Sequence, residues 1–266
     1  MPEGDTIHRS AVRLRSLLPG ALIAEATDNG RFLSAEELVD VRFAKVESRG
    51  KHLLMHLEDG RVIHSHMGMT GSWHIYQQGE PWRKVPRWAA LTLLVRGSDP
   101  STDFVVVCFS PKTLELLSPI QFRRHSYLQR LGPDLMLDQF DNEKILQRFR
   151  VHNITPIGEA VMNQTIVCGI GNAYKSETLF LTRTNPFVRV ADLSDEQTLA
   201  IAKTAQELMR KNRSGYPRET RLSGDGERLW VYGRSGKGCF RCDSAIEMRR
   251  QGDLGRSTYW CPQCQK

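Results

Sequence analysis

Residues 239–264, CFRCDSAIEMRRQGDLGRSTYWCPQC, decide the fold at one end of this chain. Cys239 and Cys242 form one CxxC pair, Cys261 and Cys264 form a second, and 18 residues separate the pairs. Each pair can place two sulfur atoms on one metal from a tight turn, and the intervening length suits a β-hairpin. The spacing predicts one structural Zn²⁺ held by four thiolates. Two disulfides are the alternative, which the lack of a secretory signal disfavours.

Basic side chains are concentrated in the same end of the chain. The 266 residues carry a formal net charge of +7, and residues 200–266 hold 14 basic against 7 acidic side chains. The remainder is electrically balanced, so the whole excess lies in the last quarter. Such a patch indicates contact with a polyanion, because phosphates attract Lys and Arg over long range. A solvated surface is the alternative interpretation.

The composition limits the class of protein. Apolar residues make up 40 % and charged residues 25 %, which is typical of a globular chain with a real core. No run of 18 apolar residues is present, so we expect no contact with a membrane. The polar start of the chain is unlike a signal peptide. We therefore expect a cytoplasmic, nucleoid-associated protein. A monomer is the default expectation, because the sequence carries no information on oligomeric state.

The N-terminal half has the pattern of a β-rich domain after one helix. Asp5 is the expected N-cap of a helix over residues 6–18, which Pro19-Gly20 ends. Short apolar stretches broken by Asp-Gly, Gly-Ser and Ser-Pro turns then predict antiparallel strands and a sandwich or barrel. These strands are residues 51–57, 61–66, 71–76, 89–95, 104–109 and 113–117.

The second half changes to helical periodicity. Helices are predicted over residues 141–150, 156–164, 172–182 and 194–212, followed by a polar, mobile loop at 213–228. The fold class is therefore α+β. We predict a β-sandwich domain over 1–130, a helical domain over 131–228 and a zinc module over 229–266.

Pro2 and Glu3 stand directly before the first helix. Removal of Met1 would make Pro2 a terminal secondary amine, whose pKa lies far below that of lysine. The positive end of a helix dipole favours the neutral amine further. Such an amine can attack an electrophilic carbon and form a Schiff base, with Glu3 moving protons. Taken alone, a Pro-Glu start usually carries no function.

Three further features are ambiguous when taken one at a time. Lys51 begins a strand and is either a functional amine or a solvated edge residue. The turn Gly169-Ile170-Gly171-Asn172 could bring backbone N–H groups to a phosphate while Asn172 caps the next helix, or it could be a plain connection. Arg256 follows a glycine near the tip of the zinc hairpin, where it could reach a DNA backbone.

Histidines recur on two neighbouring strands. His64 and His66 share one strand face, and His52 and His56 share another. A metal site is conceivable, but no carboxylate or cysteine spacing in the sequence supports it. Polar-face histidines are the simpler interpretation.

The joint order of these motifs is specific. Met1-Pro-Glu-Gly-Asp5, Ser48-Arg-Gly-Lys-His52, Gly169-Ile-Gly-Asn172 and the ending GRSTYWCPQCQ at 255–265 span the whole chain. This arrangement strongly resembles the formamidopyrimidine-DNA glycosylase and endonuclease VIII family. The Pro-Glu-Gly start is more similar to the endonuclease VIII branch.

The resemblance implies a bifunctional DNA glycosylase and abasic-site lyase that acts on damaged double-stranded DNA. By analogy, Pro2 is the nucleophile at C1′, Glu3 assists opening of the sugar ring, and Lys51 contacts phosphate and supports the chemistry. Asn172 and Arg256 would grip the backbone, and Met69 would be the wedge that enters the base stack. A buried Met between glycines is the alternative for Met69.

Departures from the family pattern bear on the substrate. Thr6 stands where many relatives carry a glutamate, and Gly158 replaces a lysine that the oxidised-purine branch uses near its substrate. We therefore expect oxidised pyrimidines as substrates and strand cleavage by β,δ-elimination, with oxidised purines as the alternative. The wedge loop itself is closer to the purine branch. A zinc-ribbon DNA-binding protein without catalysis is an alternative of another class, and an RNA-binding zinc protein is disfavoured because no paired aromatic stacking motif is present.

Overall fold

A computed structural model describes residues 1–97, 103–215 and 217–266. The chain divides into two units, residues 1–129 and 130–266. Each unit has its own hydrophobic core. The further division of the second unit into a helical domain and a zinc module stays a prediction.

Two four-stranded antiparallel sheets and one long helix build the first unit. The sheets have the strand orders β1–β6–β7–β5 and β2–β3–β4–β8, and their facing sides enclose the core. The predicted α+β class with an antiparallel sandwich is confirmed. The elements are α1 (Gly4–Arg15), β1 (Leu22–Asp28), β2 (Phe43–Arg49), β3 (His52–Leu57), β4 (Val62–His66), β5 (Ser72–Gln77), β6 (Ala89–Arg96), β7 (Phe104–Phe109), β8 (Thr113–Leu117) and α2 (Pro119–Arg123).

The sequence pattern did not predict two of the observed strands, β1 and β2. The pairing of β1 with β6 shifts register between Ile23 and Glu25, and that of β2 with β3 shifts between Phe43 and Lys45. A bulge interrupts the two-residue alternation that marks a strand in a sequence. The six predicted strands lie within one residue of the observed bounds.

The first helix begins earlier and ends earlier than predicted. Its N-cap position is Glu3, so the prediction of Asp5 as N-cap is wrong. Asp5 instead lies buried inside the first turn, where its carboxylate meets Arg9 at 3.4 Å. Leu18 is buried beyond the end of the helix. Its apolar side chain continues the helical spacing without belonging to the helix.

Four helices and a two-stranded hairpin build the second unit. They are α3 (Asn142–Val151), α4 (Ile157–Ala160), α5 (Asn172–Leu181), α6 (Asp195–Lys211), β9 (Glu247–Gln251) and β10 (Arg256–Trp260). Its core gathers apolar residues of these helices, among them Phe149, Tyr174 and Ile201. The described residues of 213–228 form neither helix nor strand, and Tyr216 lies outside the described residues. Among the described residues, no helix has the length and apolar character needed to cross a bilayer.

Candidate active site and nucleic-acid interface

The N-terminal residues are built into the start of α1. Glu3 is fully buried, and its carbonyl accepts the backbone N–H groups of Thr6 at 3.0 Å and Ile7 at 3.1 Å. Pro2 is half-buried one residue earlier, and Met1 is exposed. Pro2 therefore lies at the positive end of the helix dipole, and the residue that would have to be removed is accessible.

Lys51 lies in a two-residue turn between β2 and β3. Arg49 and His52 are paired across this turn, and Gly50 has a φ of +56°, a conformation that favours glycine. Helix α1 packs on both strands. The Nε of Arg15 anchors it by donating to the carbonyl of Val46 at 3.0 Å. The same unit thus carries Pro2, Glu3 and Lys51 on elements that pack together.

Met69 projects from the loop between β4 and β5. Its side chain is 70 % exposed, whereas that of Met67, two residues earlier, is buried. The loop closes through the N–H of Gly71, which donates to the carbonyl of Met67 at 3.0 Å. The alternative of a buried Met69 is therefore wrong, and the role of Met69 as a wedge, which requires an exposed side chain, stays a prediction.

The glycine-rich turn leads directly into α5. Gly169 has a φ of +108°, which only glycine adopts readily, and its N–H donates to Oε1 of Gln164 at 3.0 Å. The N-cap position of α5 is Gly171. Asn172 is therefore the first helical residue, and the interpretation of Asn172 as the cap is wrong. Its side chain is buried, and Oδ1 has no hydrogen-bond partner among the described residues.

The hairpin β9–β10 packs against the start of α5. Nζ of Lys175 donates to Oγ1 of Thr258 at 2.7 Å, and Nδ2 of Asn172 lies 3.4 Å from Oγ of Ser257. Arg256, at the beginning of β10, is half-exposed and forms no ion pair with any described residue. The structure thus brings Asn172 and Arg256 onto neighbouring elements of one unit.

The four cysteines converge on one point. Sγ of Cys239 lies 3.9 Å from Sγ of Cys264, and Sγ of Cys242 lies 3.4 Å from that of Cys261 and 3.5 Å from that of Cys264. A disulfide needs about 2.05 Å, so the alternative of two disulfides is wrong. Metal–sulfur bonds of about 2.3 Å in a tetrahedron separate the sulfurs by about 3.8 Å. The four thiols therefore fit a single metal ion.

A buried carboxylate that no sequence motif marks joins α5 to the segment of residues 220–232. Glu177 is fully buried, and its two oxygens accept the N–H groups of Trp230, Val231 and Tyr232 at 2.8–2.9 Å. It also accepts the hydroxyl of Thr220. Burial raises the pKa of Glu177, and these donors oppose the rise. No local signal marks this residue, because its partners lie more than 40 positions away.

The histidines of β3 and β4 lie on one face of their sheet, opposite the core. His52 is paired with His66 in the register of β3 and β4. Glu115, on the adjacent β8, is paired with His64, and its Oε1 lies 2.6 Å from Nδ1 of His64. The carboxylate that the sequence did not reveal is therefore supplied by a strand 51 positions away. One nitrogen of His64, one of His125 and a carboxylate oxygen of Glu115 all lie within 4.8 Å of one another.

Comparison with known proteins shows the family to which the chain belongs. Residues 1–103 match the family model "Formamidopyrimidine-DNA glycosylase N-terminal domain", and residues 131–215 match "Formamidopyrimidine-DNA glycosylase H2TH domain". The chain is 33 % identical to "Probable endonuclease 8 2" of Streptomyces coelicolor over 100 % of this chain and 94 % of that protein. It is 31 % identical to "DNA-(apurinic or apyrimidinic site) lyase Nei2" of Mycolicibacterium smegmatis over 100 % and 99 %.

A solved structure has the same fold. The Lactococcus lactis protein Fpg (MutM), in a complex with DNA containing N7-benzyl-Fapy-dG, superimposes with a TM-score of 0.82 at 23 % identity, covering 100 % of both chains. The fold and the site thus define an enzyme of the DNA glycosylase class. The chain belongs to the formamidopyrimidine-DNA glycosylase family, and its curated relatives are named endonuclease 8 and Nei2.

Proposed function

We propose that this enzyme is a bifunctional glycosylase and abasic-site lyase of base excision repair that removes oxidised pyrimidines from double-stranded DNA. The observation that carries the proposal is the position of Pro2, half-buried at the N-terminus of α1 and next to the buried Glu3. A non-catalytic zinc-ribbon protein has no need of such an N-terminus. The relatives named endonuclease 8 and abasic-site lyase support the same activity.

The chemistry begins with the amine of Pro2 after loss of Met1. The neutral amine attacks C1′, and the damaged base leaves with the proton that the amine gives up. The bond between C1′ and the ring oxygen then breaks, and a cationic imine links the open sugar to Pro2. Glu3 protonates the ring oxygen as the sugar opens. The imine then acidifies C2′–H, so the strand breaks by β-elimination and afterwards by δ-elimination on the other side. Lys51 binds the adjacent phosphate and holds the nucleotide at the amine.

DNA is held by residues of both units in this proposal. Asn172, through its amide nitrogen, and Arg256 contact phosphates around the damaged nucleotide, and the half-exposed start of β10 supports this role for Arg256. Met69 occupies the space that the flipped nucleotide leaves in the stack, which its exposure supports. Such an enzyme works where chromosomal DNA is, at the nucleoid.

The four cysteines bind one Zn²⁺ in this proposal. Thiolates in a tetrahedron favour zinc, and the ion orders the hairpin that carries Arg256. Its role is structural, since all four coordination positions are filled by protein sulfur.

The preference for pyrimidines is supported by the surroundings of Gly158. A Cβ at this position would lie 2.5 Å from Oε1 of Gln251 and 3.0 Å from the carbonyl oxygen of Pro186. Gln251 is itself fixed, because its Nε2 donates to that carbonyl at 3.0 Å and its Oε1 accepts from Thr258 at 2.9 Å. This packing leaves no room for the lysine that the family resemblance associates with oxidised purines.

The test is borohydride trapping on duplexes that carry dihydrouracil, 8-oxoguanine or an abasic site. We expect a covalent adduct on the abasic and dihydrouracil duplexes and at least tenfold less on 8-oxoguanine. An adduct that forms mainly on 8-oxoguanine would contradict the pyrimidine preference. Intact DNA binding without any adduct would refute the glycosylase and lyase mechanism.

A further inference from the structure

A continuous chain of side chains crosses the outer face of the β2–β3–β4–β8 sheet. Nδ1 of His52 lies 2.8 Å from Nε2 of His64, and Nδ1 of His64 lies 2.6 Å from Oε1 of Glu115. The same oxygen lies 3.1 Å from Nε2 of His125. Nδ1 of His125 accepts the backbone N–H of Leu128 at 3.2 Å. Four polar side chains from β3, β4, β8 and the segment after α2 therefore form one network.

The donor and the acceptor of each hydrogen bond can be assigned by starting at the His125 end of the network. Nδ1 of His125 accepts from Leu128, so its ring carries its proton on Nε2 and donates to Glu115. Burial acts to raise the pKa of Glu115, but hydrogen bonds from His64 and His125 lower it, so the carboxylate is ionised and accepts both donors. His64 must then carry its proton on Nδ1.

The tautomer of His52 is fixed in turn. Burial lowers the pKa of His64, against the opposing effect of Glu115, so its ring is neutral. A neutral ring with its proton on Nδ1 has a free lone pair on Nε2, which accepts from Nδ1–H of His52. Burial also lowers the pKa of His52, to about 2, with the neighbouring His64 and His66 adding to the effect.

His64, Glu115 and His125 are close enough to one another to be considered as metal ligands. A metal on Nε2 of His125 would displace the proton to Nδ1, where it would face the N–H of Leu128, donor against donor. The hydrogen bonds satisfy every nitrogen of His64 and His125 without an ion. The geometry therefore favours a hydrogen-bonded network over a second metal site.

The His52 end of the network lies beside two segments that contact DNA in the proposed function. They are the β2–β3 turn with Lys51 and the β4–β5 loop with Met69. His52 is 5 % exposed and directly follows Lys51 in the β2–β3 turn. Its ring lies 4.9 Å from that of His66. Nδ1 of His66 accepts the N–H of Gly68 at 3.2 Å, at the start of the loop that carries Met69. The ring of His52 is thus a shared support for the turn and the loop.

We propose that Glu115 is a positioning residue for the lyase reaction. Acting through His64, it fixes the ring of His52 and so holds Lys51 and the Met69 loop in the geometry in which they meet DNA. This inference rests on the proposed function, because it concerns the placement of groups that the proposed function uses.

The experiment compares Glu115→Gln with Glu58→Gln, an exposed residue in the turn at the opposite end of the β3–β4 hairpin. We expect Glu115→Gln to lower the single-turnover rate on a preformed abasic site by roughly tenfold, because misplacement of a contact group weakens orientation. The Kd for abasic DNA should stay within about twofold of wild type. Glu58→Gln should behave as wild type.

Two further measurements separate positioning from general damage. Long-range ¹H–¹⁵N spectra of wild type should show Nδ1–H tautomers for His52 and His64 and the Nε2–H tautomer for His125, and Glu115→Gln should alter the signals of His64. His125→Gln keeps an amide donor near the position of Nε2, so it should retain the rate that His125→Leu loses. This pair keeps the test decisive should Glu115→Gln fold poorly.

The proposal is overturned by an unchanged rate in Glu115→Gln, by an Nε2–H tautomer on His64, or by a second zinc per chain that Glu115→Gln removes. Wild-type protein that forms no borohydride adduct would instead refute the proposed function. The histidine spectra would then still decide whether the network exists.

Discussion

In the proposed mechanism Pro2 reacts through its backbone amine, since its side chain carries no catalytic group. Its expected amine lies at the start of α1, and the buried Glu3 follows it. The backbone at this point is held by two hydrogen bonds from the first turn of the helix to the carbonyl of Glu3. The proposed chemistry therefore depends on the removal of Met1 and on the integrity of one helix terminus.

Pro2→Gly should reduce covalent trapping severely and leave DNA binding largely intact. The replacement changes the nucleophile but none of the residues assigned to phosphate contact. Trapping yield and Kd on the same abasic duplex measure the two effects, with wild type as the reference. Undiminished trapping would mean that another amine reacts, and Lys51 would be the first to test.

The buried His52 makes the stability of the first unit depend on pH. Its pKa is lowered from 6.5 to about 2 in the folded protein, mainly by burial. Between about pH 6 and pH 3 the unfolded chain therefore binds one proton that the folded ring does not, and stability rises with pH across this window.

His52→Asn should remove that part of the pH dependence. The asparagine amide keeps a donor for His64 but does not titrate. We expect the slope of unfolding free energy against pH to fall by about 1.4 kcal/mol per pH unit in this window. Urea unfolding at pH 4 and at pH 5.5, both inside this window, measures it. Equal slopes in both proteins would show that His52 is protonated in the folded state.

At the scale of elements, the strands of the hairpin β9–β10 contribute little stability by themselves. Four of the five residues of β9 are exposed, and a two-stranded ribbon alone is marginally stable in water. The cysteine cluster and the contacts of Lys175 and Ser176 with β10 supply what the strands lack. The cluster includes buried Cys239 and Cys261, which share a small core with Val231 and Ile246.

Removal of zinc should unfold the chain from about residue 229 to the end while the first unit stays folded. Metal binding and folding are coupled in such modules, so a chelator removes the free energy that orders them. Hydrogen exchange with and without chelator resolves the two regions, and β3 and β7 serve as the internal reference. Unchanged protection of β10 in the chelated protein would contradict a structural metal.

At the scale of the whole molecule, the basic charge and the proposed nucleophile belong to different units. The basic excess lies in residues 200–266, within the second unit, whereas the N-terminal amine belongs to the first. Arg256 is a half-exposed cation without an ion-pair partner among the described residues. Arg256 can therefore bind a phosphate without first breaking an ion pair with a described residue.

Arg256→Ala should weaken binding to all DNA sequences about equally and reduce the salt dependence. Loss of one phosphate contact lowers the slope of log K against log salt by about 1. Binding titrations at several salt concentrations measure it, with Lys203→Ala on the exposed side of α6 as the matched control. A loss confined to one sequence would indicate contact with a base.

The local sequence determined the cysteine site, six of the strands and helices α3, α5 and α6, because spacing and periodicity act over a few residues. The helix predicted over 156–164 is wrong beyond its first turn, since α4 ends at Ala160. It also determined the family, through the order of short motifs along the chain. It misplaced the N-caps at Asp5 and Asn172 by two residues and by one. The N-cap is the residue after which the backbone adopts the helical conformation, and residue type only biases which residue takes that position.

Only the tertiary structure decided which distant polar groups meet. Glu115 reaches His64 because β8 pairs with β4 in one register, and a shift of one residue would turn the carboxylate to the other face. Lys175 reaches Thr258 across 83 positions, and Glu177 meets the chain at Trp230 across 53. No local pattern encodes these contacts, because they arise when separate elements pack their apolar faces and bring buried polar groups to partners.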